Sequence, residues 1–248
     1  TRDTPHILMS VSKSILGLLI GILIDQKIFK AADKVCAILP ELNSTAYKEA
    51  TIRDLLDMRT GVTFVEDYLA TSGLMIDYRK ATNWNPLENN EAPSDLRSFY
   101  RLLDKKSHPD GKQFNYVSPN SDLLGWIIER STGERFSDIL SDLFWKPLGA
   151  TMPSYITVDR LGAPRVAGGL CTTAIDLALV GQLFLDYGFT NGQQILPKNW
   201  LQDIQENGSR DAWLEGNFAE YFPNRDMHYR SKWYVDHGAD DSKAELVF

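Results

Sequence analysis

The sequence has few of the features that staple, anchor or strongly charge a chain. Cys36 and Cys171 are the only cysteines among 248 residues, and two cannot define a disulfide framework or fix a redox compartment. No block of like charge stands out: 26 basic residues face 33 acidic ones for a net charge of −7, which argues against a nucleic-acid partner. Lys105-Lys106 reads as a solvated helix end. The four histidines, His6, His108, His228 and His237, lack ligand spacing, so no metal site is expected. The longest apolar stretch, Ile15 to Ile24, falls well short of the roughly 18 residues a membrane span needs. Nor is it a signal peptide, because Asp25-Gln26-Lys27 follows it where a small-residue cleavage site belongs. Repeats and low-complexity tracts are absent. What is left is the composition of an ordinary soluble protein, long enough to bury a large core.

What the chain does have is a serine and a lysine one helical turn apart at the mouth of an apolar helix. Ser10-Val11-Ser12-Lys13 runs directly into Ser14-Ile15-Leu16-Gly17-Leu18-Leu19-Ile20-Gly21-Ile22-Leu23-Ile24, which has no polar face and reads as a central core helix. Residues i and i+3 share a helix face, so the Lys13 amine can reach the Ser10 hydroxyl. Taken alone the spacing is common, about one occurrence being expected by chance in a chain of this length. The plain alternative is an N-cap serine followed by a solvated lysine. Against it, an exposed lysine in the first turn opposes the helix dipole and gains nothing there. Ser12 and Ser14 have Ile15 and Gly17 three places on, so neither has the same partner. A lysine can act as a base only as the free amine, and bringing its ordinary pKa near neutrality takes about 4 kcal/mol. Burial beside an apolar helix works in that direction.

Further along, Lys27 to Ser44 reads as a connector, and Thr51-Ile52-Arg53-Asp54 as a capping box opening a helix that ends at Gly61. Residues 62–93 lack sustained periodicity and carry Tyr68, Tyr78 and Trp84, as a functional cover would. Ser94 is expected to cap a helix through Leu103, stopped by His108-Pro109-Asp110-Gly111. Phe114 to Val117 is short and extended, and Pro119 opens a helix ending near Gly133. Phe136 to Trp145 is helical, Tyr155 to Val158 a strand, and Thr173 caps a helix through Leu185. Pro197 to Gln205 is a last helix and Lys232 to Val235 a last strand.

A serine nucleophile with a lysine base needs a third group to carry the proton onward. His6 and His108 have no Gly-x-Ser-x-Gly context to suggest a hydrolase elbow. Tyr116, in Phe114-Asn115-Tyr116-Val117-Ser118-Pro119, is the candidate, since a phenol beside an ammonium can work as base or acid. Ser118, two residues on along an extended segment, would direct its hydroxyl to the same pocket. The alternative for Tyr116 is a half-buried loop aromatic, the commoner fate of tyrosine.

Four motifs in order carry a family resemblance. They are Ser10-x-x-Lys13, then Leu55-Leu56-Asp57-Met58-Arg59-Thr60-Gly61, then Tyr116-Val117-Ser118 ahead of Leu124-Gly125-Trp126, then Gly168-Gly169-Leu170-Cys171-Thr172-Thr173 through Ala178. Together they resemble the serine β-lactamase-related hydrolases, in the class C-like branch with carboxylesterases and 6-aminohexanoate-dimer hydrolases. The resemblance covers nearly all of the chain. It implies an α+β fold of the β-lactamase/DD-peptidase type, a helical region plus an antiparallel sheet, in one domain over 1–248 with a helical subdomain at roughly 50–170. It implies acylation of Ser10, with Lys13 as base and Tyr116 as proton donor and later activator of water, on a small-molecule amide or ester. Tyr68 resembles a mobile-loop tyrosine that closes over substrate, and Ser118 would line the substrate site. No cofactor or metal is implied, and oligomeric state and compartment stay open. A non-catalytic relative that binds peptides or cell-wall fragments is the alternative.

The chain departs from the family pattern at both ends. A strand pair is expected before the nucleophile helix, and a Lys-Thr-Gly or His-x-Gly strand near the C-terminus, where Asp236-His237-Gly238-Ala239-Asp240-Asp241 reads instead as a turn between strands. The expectation is a helix-rich fragment, truncated at both ends and lacking most sheet strands, with the second oxyanion donor outside it. One face of the Ser10 helix should then stand bare, with poor stability as the consequence.

Overall fold

The structure is a computed structural model that describes residues 2–238 and 245–247. A short strand, β1 (His6–Ile7), leads into α1 (Val11–Asp25). From Ser12 to Leu23 every residue of α1 is buried, and from Ile15 onward the apolar sequence requires it. No described helix is long and apolar enough to cross a membrane.

After α2 (Val35–Ile38), α3 (Ile52–Leu56) begins at the expected capping box, with Thr51 and Asp54 satisfying each other's backbone N–H groups. Within the long segment read as lacking periodicity, α4 (Leu74–Ala81) buries Met75, Tyr78 and Ala81. Its spacing is helical, but it spans barely two turns with Gly73 in front, too short to register as periodicity. The next helix, α5 (Leu96–Phe99), is capped by Asp95 and not by Ser94: the Asp95 carboxylate accepts from Arg97 and Ser98 N–H groups. A carboxylate one residue nearer the first turn takes both donors, which a hydroxyl at 94 could not reach. Pro119 opens α6 (Pro119–Thr132), and Gly133, left-handed at φ 75°, closes it.

The helix expected over Phe136 to Trp145 is α7 (Phe136–Leu140) followed by a π-helical turn, Ser141–Trp145, and then α8 (Lys146–Leu148). Strand β2 is confined to Tyr155–Ile156, and β3 (Leu170–Thr172) lies between β1 and β2, antiparallel to both. Thr173 caps α9 (Ala174–Leu185) as expected. A hairpin of β4 (Phe189–Thr190) and β5 (Gln193–Gln194) precedes α10 (Lys198–Glu206) and α11 (Arg210–Leu214).

The last sheet is β6 (Met227–Arg230), β7 (Trp233–Asp236) and β8 (Glu245–Val247), antiparallel throughout. Lys232, read as a strand residue, is in the two-residue turn between β6 and β7, where Ser231 and Lys232 both have positive φ, 49° and 73°. That is the turn geometry which matches strand twist. The expected turn at 236–241 begins at the end of β7, but Ala239 to Asp241 lie outside the described residues.

The bare face expected on α1 is absent. The β6–β7 turn, α10 and β7 cover it: Trp200 Nε1 donates to the Gly17 carbonyl at 3.1 Å and Trp233 Nε1 to that of Ser14 at 3.2 Å. Gly17 and Gly21 make this possible, since a Cβ there would stand 2.0 Å from the Ser231 oxygen and 2.3 Å from the Trp200 ring.

Candidate active site

Ser10 is the N-cap of α1, exposed, and follows Met9, which is left-handed at φ 49°. Its hydroxyl lies 2.9 Å from the Lys13 Nζ, the contact that i, i+3 spacing allows. Lys13 is only 2 % exposed and donates a second hydrogen bond, at 2.6 Å, to the Ala167 carbonyl. The amine also lies over the Tyr116 ring, 5.1 Å from its centroid. The structure thus brings Ser10, Lys13 and Tyr116 together. They share a cavity of about 230 Å³ with Leu8, Met9, Val11, Ser14, Tyr229, Lys232 and Tyr234.

Tyr116 is held by stacking on Phe218 (4.9 Å between centroids, 14° between planes). Its backbone N–H donates to Asn217 Oδ1 at 3.1 Å. Ser118 does not send its hydroxyl into this cavity. Its Oγ donates to Glu66 at 2.6 Å, and its backbone N–H donates to the same carboxylate at 2.7 Å. As N-cap of α6, Ser118 has a helical backbone (φ −55°, ψ −38°), so the alternation assumed for an extended segment does not apply. Tyr68, 58 % exposed, donates its hydroxyl to Glu66 at 2.6 Å. Tyr68 and Ser118 therefore meet at a carboxylate that sequence reasoning passed over.

Asp122 and Lys232 were also missed. Asp122 is buried, and its carboxylate accepts from the Ala167 N–H at 2.8 Å and from the Tyr78 hydroxyl. It thereby fixes the loop whose carbonyl holds Lys13. Burial pushes its carboxyl up to about 6, against those two hydrogen bonds and the charges of Arg165 and Lys13. Lys232, 1 % exposed, donates to the Leu55 carbonyl at 2.7 Å. Burial, and then the charge of Lys13, hold its amine well below the usual lysine range. The available signal for Lys232 was a charge inside an aromatic strand-like run. A Ser-Lys pair does not announce a turn as Asn-Gly would.

Among the described residues no group of three His, Cys, Asp or Glu side chains could hold a metal ion. A larger cavity, about 390 Å³, lies between α7, α8 and β2. Its one lysine, Lys146, is exposed and paired with Asp142 at 2.6 Å. The small cavity combines a hydroxyl, a buried amine and a phenol. Such a set suits acyl transfer through a serine ester.

The chain is 33 % identical over 232 residues to the 6-aminohexanoate-dimer hydrolase of Paenarthrobacter ureafaciens, covering 94 % of this chain and 58 % of that protein. A candidate 6-aminohexanoate-dimer hydrolase from Bacillus anthracis superposes with a TM-score of 0.83 at 25 % identity, over 96 % of this chain and 61 % of that one. A D-stereospecific amidohydrolase from Streptomyces sp. shares the fold at a TM-score of 0.69 and 17 % identity, over 99 % and 75 %. The chain thus spans about three-fifths of the length of the first two relatives. The Beta-lactamase family model matches residues 1–237, and this chain belongs to the beta-lactamase family.

Proposed function

We propose that this protein is a serine hydrolase that cleaves a small-molecule amide or ester through an acyl-enzyme on Ser10, as an amidase of the 6-aminohexanoate-oligomer type or a carboxylesterase. One observation carries it: a buried amine 2.9 Å from an exposed hydroxyl at a helix N-terminus, with a phenol ring over that amine. In the first step Lys13 takes the Ser10 proton while Oγ bonds to the substrate carbonyl carbon. The backbone N–H of Ser10, at the positive end of α1, faces the developing oxyanion. Tyr116 hands a proton to the departing nitrogen or oxygen as the carbonyl–heteroatom bond breaks, leaving an ester on Ser10. Water, deprotonated by the same pair, then attacks that ester and returns the proton to Oγ. Tyr68, on the exposed loop bonded to Glu66, would close over the bound substrate.

The test is Ser10→Ala against a panel of short-chain esters and linear amides. Turnover should fall by about 10³-fold or more, and a fluorophosphonate should label the parent protein at Ser10 by mass spectrometry and leave the variant unmodified. Undiminished turnover ends the assignment. A parent protein that takes up no label favours the non-catalytic binding alternative.

A further inference from the structure

We propose that Glu66 is a positioning residue of the site: its carboxylate fixes the segment that carries Tyr116 and holds the Tyr68 hydroxyl until substrate displaces it. This rests on the acyl-enzyme function proposed above and adds to it how the two tyrosines are coupled.

Three donors converge on this one side chain. Oε2 accepts the Ser118 backbone N–H at 2.7 Å, and Oε1 accepts the Ser118 hydroxyl at 2.6 Å and the Tyr68 hydroxyl at 2.6 Å. Hydrogen bonds to a carboxylate are of the strong kind. Ser118 forgoes its ordinary use to make them. It is the N-cap of α6, where a serine hydroxyl commonly accepts from the first helical turn, yet it makes no such bond. The α6 N-terminus is fastened instead from outside, by a carboxylate at the end of the helix where negative charge is favoured. Tyr116 lies two residues before Ser118, with the fully buried Val117 between them. The phenol ring over Lys13 is thus carried on a backbone that Glu66 pins at Ser118 and Asn217 pins at Tyr116 itself.

The other contact of the carboxylate restrains an exposed loop. Phe64 is buried and seats the start of that loop, while Val65 and Leu69 stand in solvent. Past Phe64 the loop is tied back by Glu66 and by the Arg79 guanidinium, which donates to the Tyr68 carbonyl at 2.7 Å. Tyr68 is not among the residues lining the catalytic cavity. To close over substrate, its hydroxyl must leave Oε1, which keeps the Ser118 hydroxyl as a partner. Closure therefore breaks one hydrogen bond and strands no buried acceptor. Without Glu66 that bond is not there to break, so substrate binds more tightly. Tyr116 is then held less firmly and protonates the leaving atom more slowly. A residue that merely supported the loop would weaken binding and turnover together.

Two measurements test the two contacts. The first is the calorimetric Kd of N-butylhexanamide on Ser10→Ala protein, which binds the amide without turning it over. Adding Glu66→Ala should tighten Kd by about 3- to 10-fold, and the gain should vanish once Tyr68→Phe is also present. The second uses protein with Ser10 intact. It compares kcat for the same amide, whose nitrogen needs a proton to leave, with the burst of p-nitrophenolate from p-nitrophenyl hexanoate, which leaves without one. Glu66→Ala should lower amide turnover about 10-fold or more and leave the burst rate within about twofold. Glu66→Gln can meet the same three groups with neutral hydrogen bonds and should fall between parent and Glu66→Ala in both measurements; it carries the test if Glu66→Ala does not fold. Unchanged or weaker binding, a gain that persists without the Tyr68 hydroxyl, or equal effects on amide turnover and burst each overturn the proposal. A burst that survives Ser10→Ala would mark failure of the acyl-enzyme function itself, whatever Glu66 does.

Discussion

At the scale of single residues, the most consequential cost in the site is a carboxyl group kept away from water. Asp122 holds the loop that holds Lys13, and burial raises its carboxyl to about 6 from an ordinary value of about 4. Because the folded value lies above the unfolded one, folding takes up a proton at Asp122 between those pH values. Its stabilising contribution is complete below about pH 4 and is lost as pH rises through about 6, on the order of 3 kcal/mol in all. Asp122→Asn keeps an acceptor for the Ala167 N–H but cannot titrate. Urea unfolding from pH 4 to 7 should show the parent losing ground to the variant as pH rises, and parallel profiles would contradict the assignment. None of this could be read from Pro119-Asn120-Ser121-Asp122, where an acid in the first turn of a helix looks like an ordinary complement to the helix dipole. Ser10 and Lys13 were legible because their contact is local, three residues along one helix. Asp122, Glu66 and Lys232 act across 45, 52 and 177 residues of separation, and no local pattern encodes such a meeting.

At the scale of elements, the glycines of two helices separate close packing from mere permission. A methyl group at Gly17 of α1 would stand 2.0 Å from the Ser231 carbonyl oxygen, whereas one at Gly181 of α9 would meet nothing within 4 Å. Gly17→Ala should therefore push the β6–β7 turn off α1, costing about 2–4 kcal/mol, and with it displace Lys232 from the pocket wall. Gly181→Ala should stabilise by roughly 0.5–1 kcal/mol through helix propensity alone. Thermal melts of the two variants check the pair, and similar shifts in both would show that the turn does not press on α1 as described. Helix ends were legible where their chemistry is short-range: Thr51 with Asp54, Pro119 with Gly133, Thr173 with Asp176 all cap as expected. Among the strands, β7 and part of β2 were legible as the extended runs at 232–235 and 155–158, whereas β1, two residues long, was not. Alternation cannot be recognised over two positions, and such strands exist through partners distant in the chain.

At the scale of the whole molecule, the site lies at the seam of two apolar clusters. The larger is built around α1 and α6, while the smaller gathers Met58, Phe114, Tyr116, Trp213, Met227 and Tyr229. The two are bound together by shared elements. Met58 lies two residues after Leu56 of the large cluster, and Tyr229 pairs across the β6–β7 hairpin with a strand whose Val235 lies in it. The small cluster carries Tyr116, so its loosening would remove the phenol from above Lys13, and with it the proton relay proposed above, before the large cluster unfolded. The shared backbone argues instead for one cooperative transition. Trp213 tests this, since it is the only tryptophan in the small cluster and its edge-on and tilted contacts with Tyr234 and Phe114 should give it a distinct signal. The fluorescence lost in Trp213→Phe defines that signal. In the parent protein it should melt together with far-UV circular dichroism and with hydrolytic activity. A Trp213 transition that runs ahead of the dichroism, with activity following the fluorescence, would show the two clusters to be separate folding units.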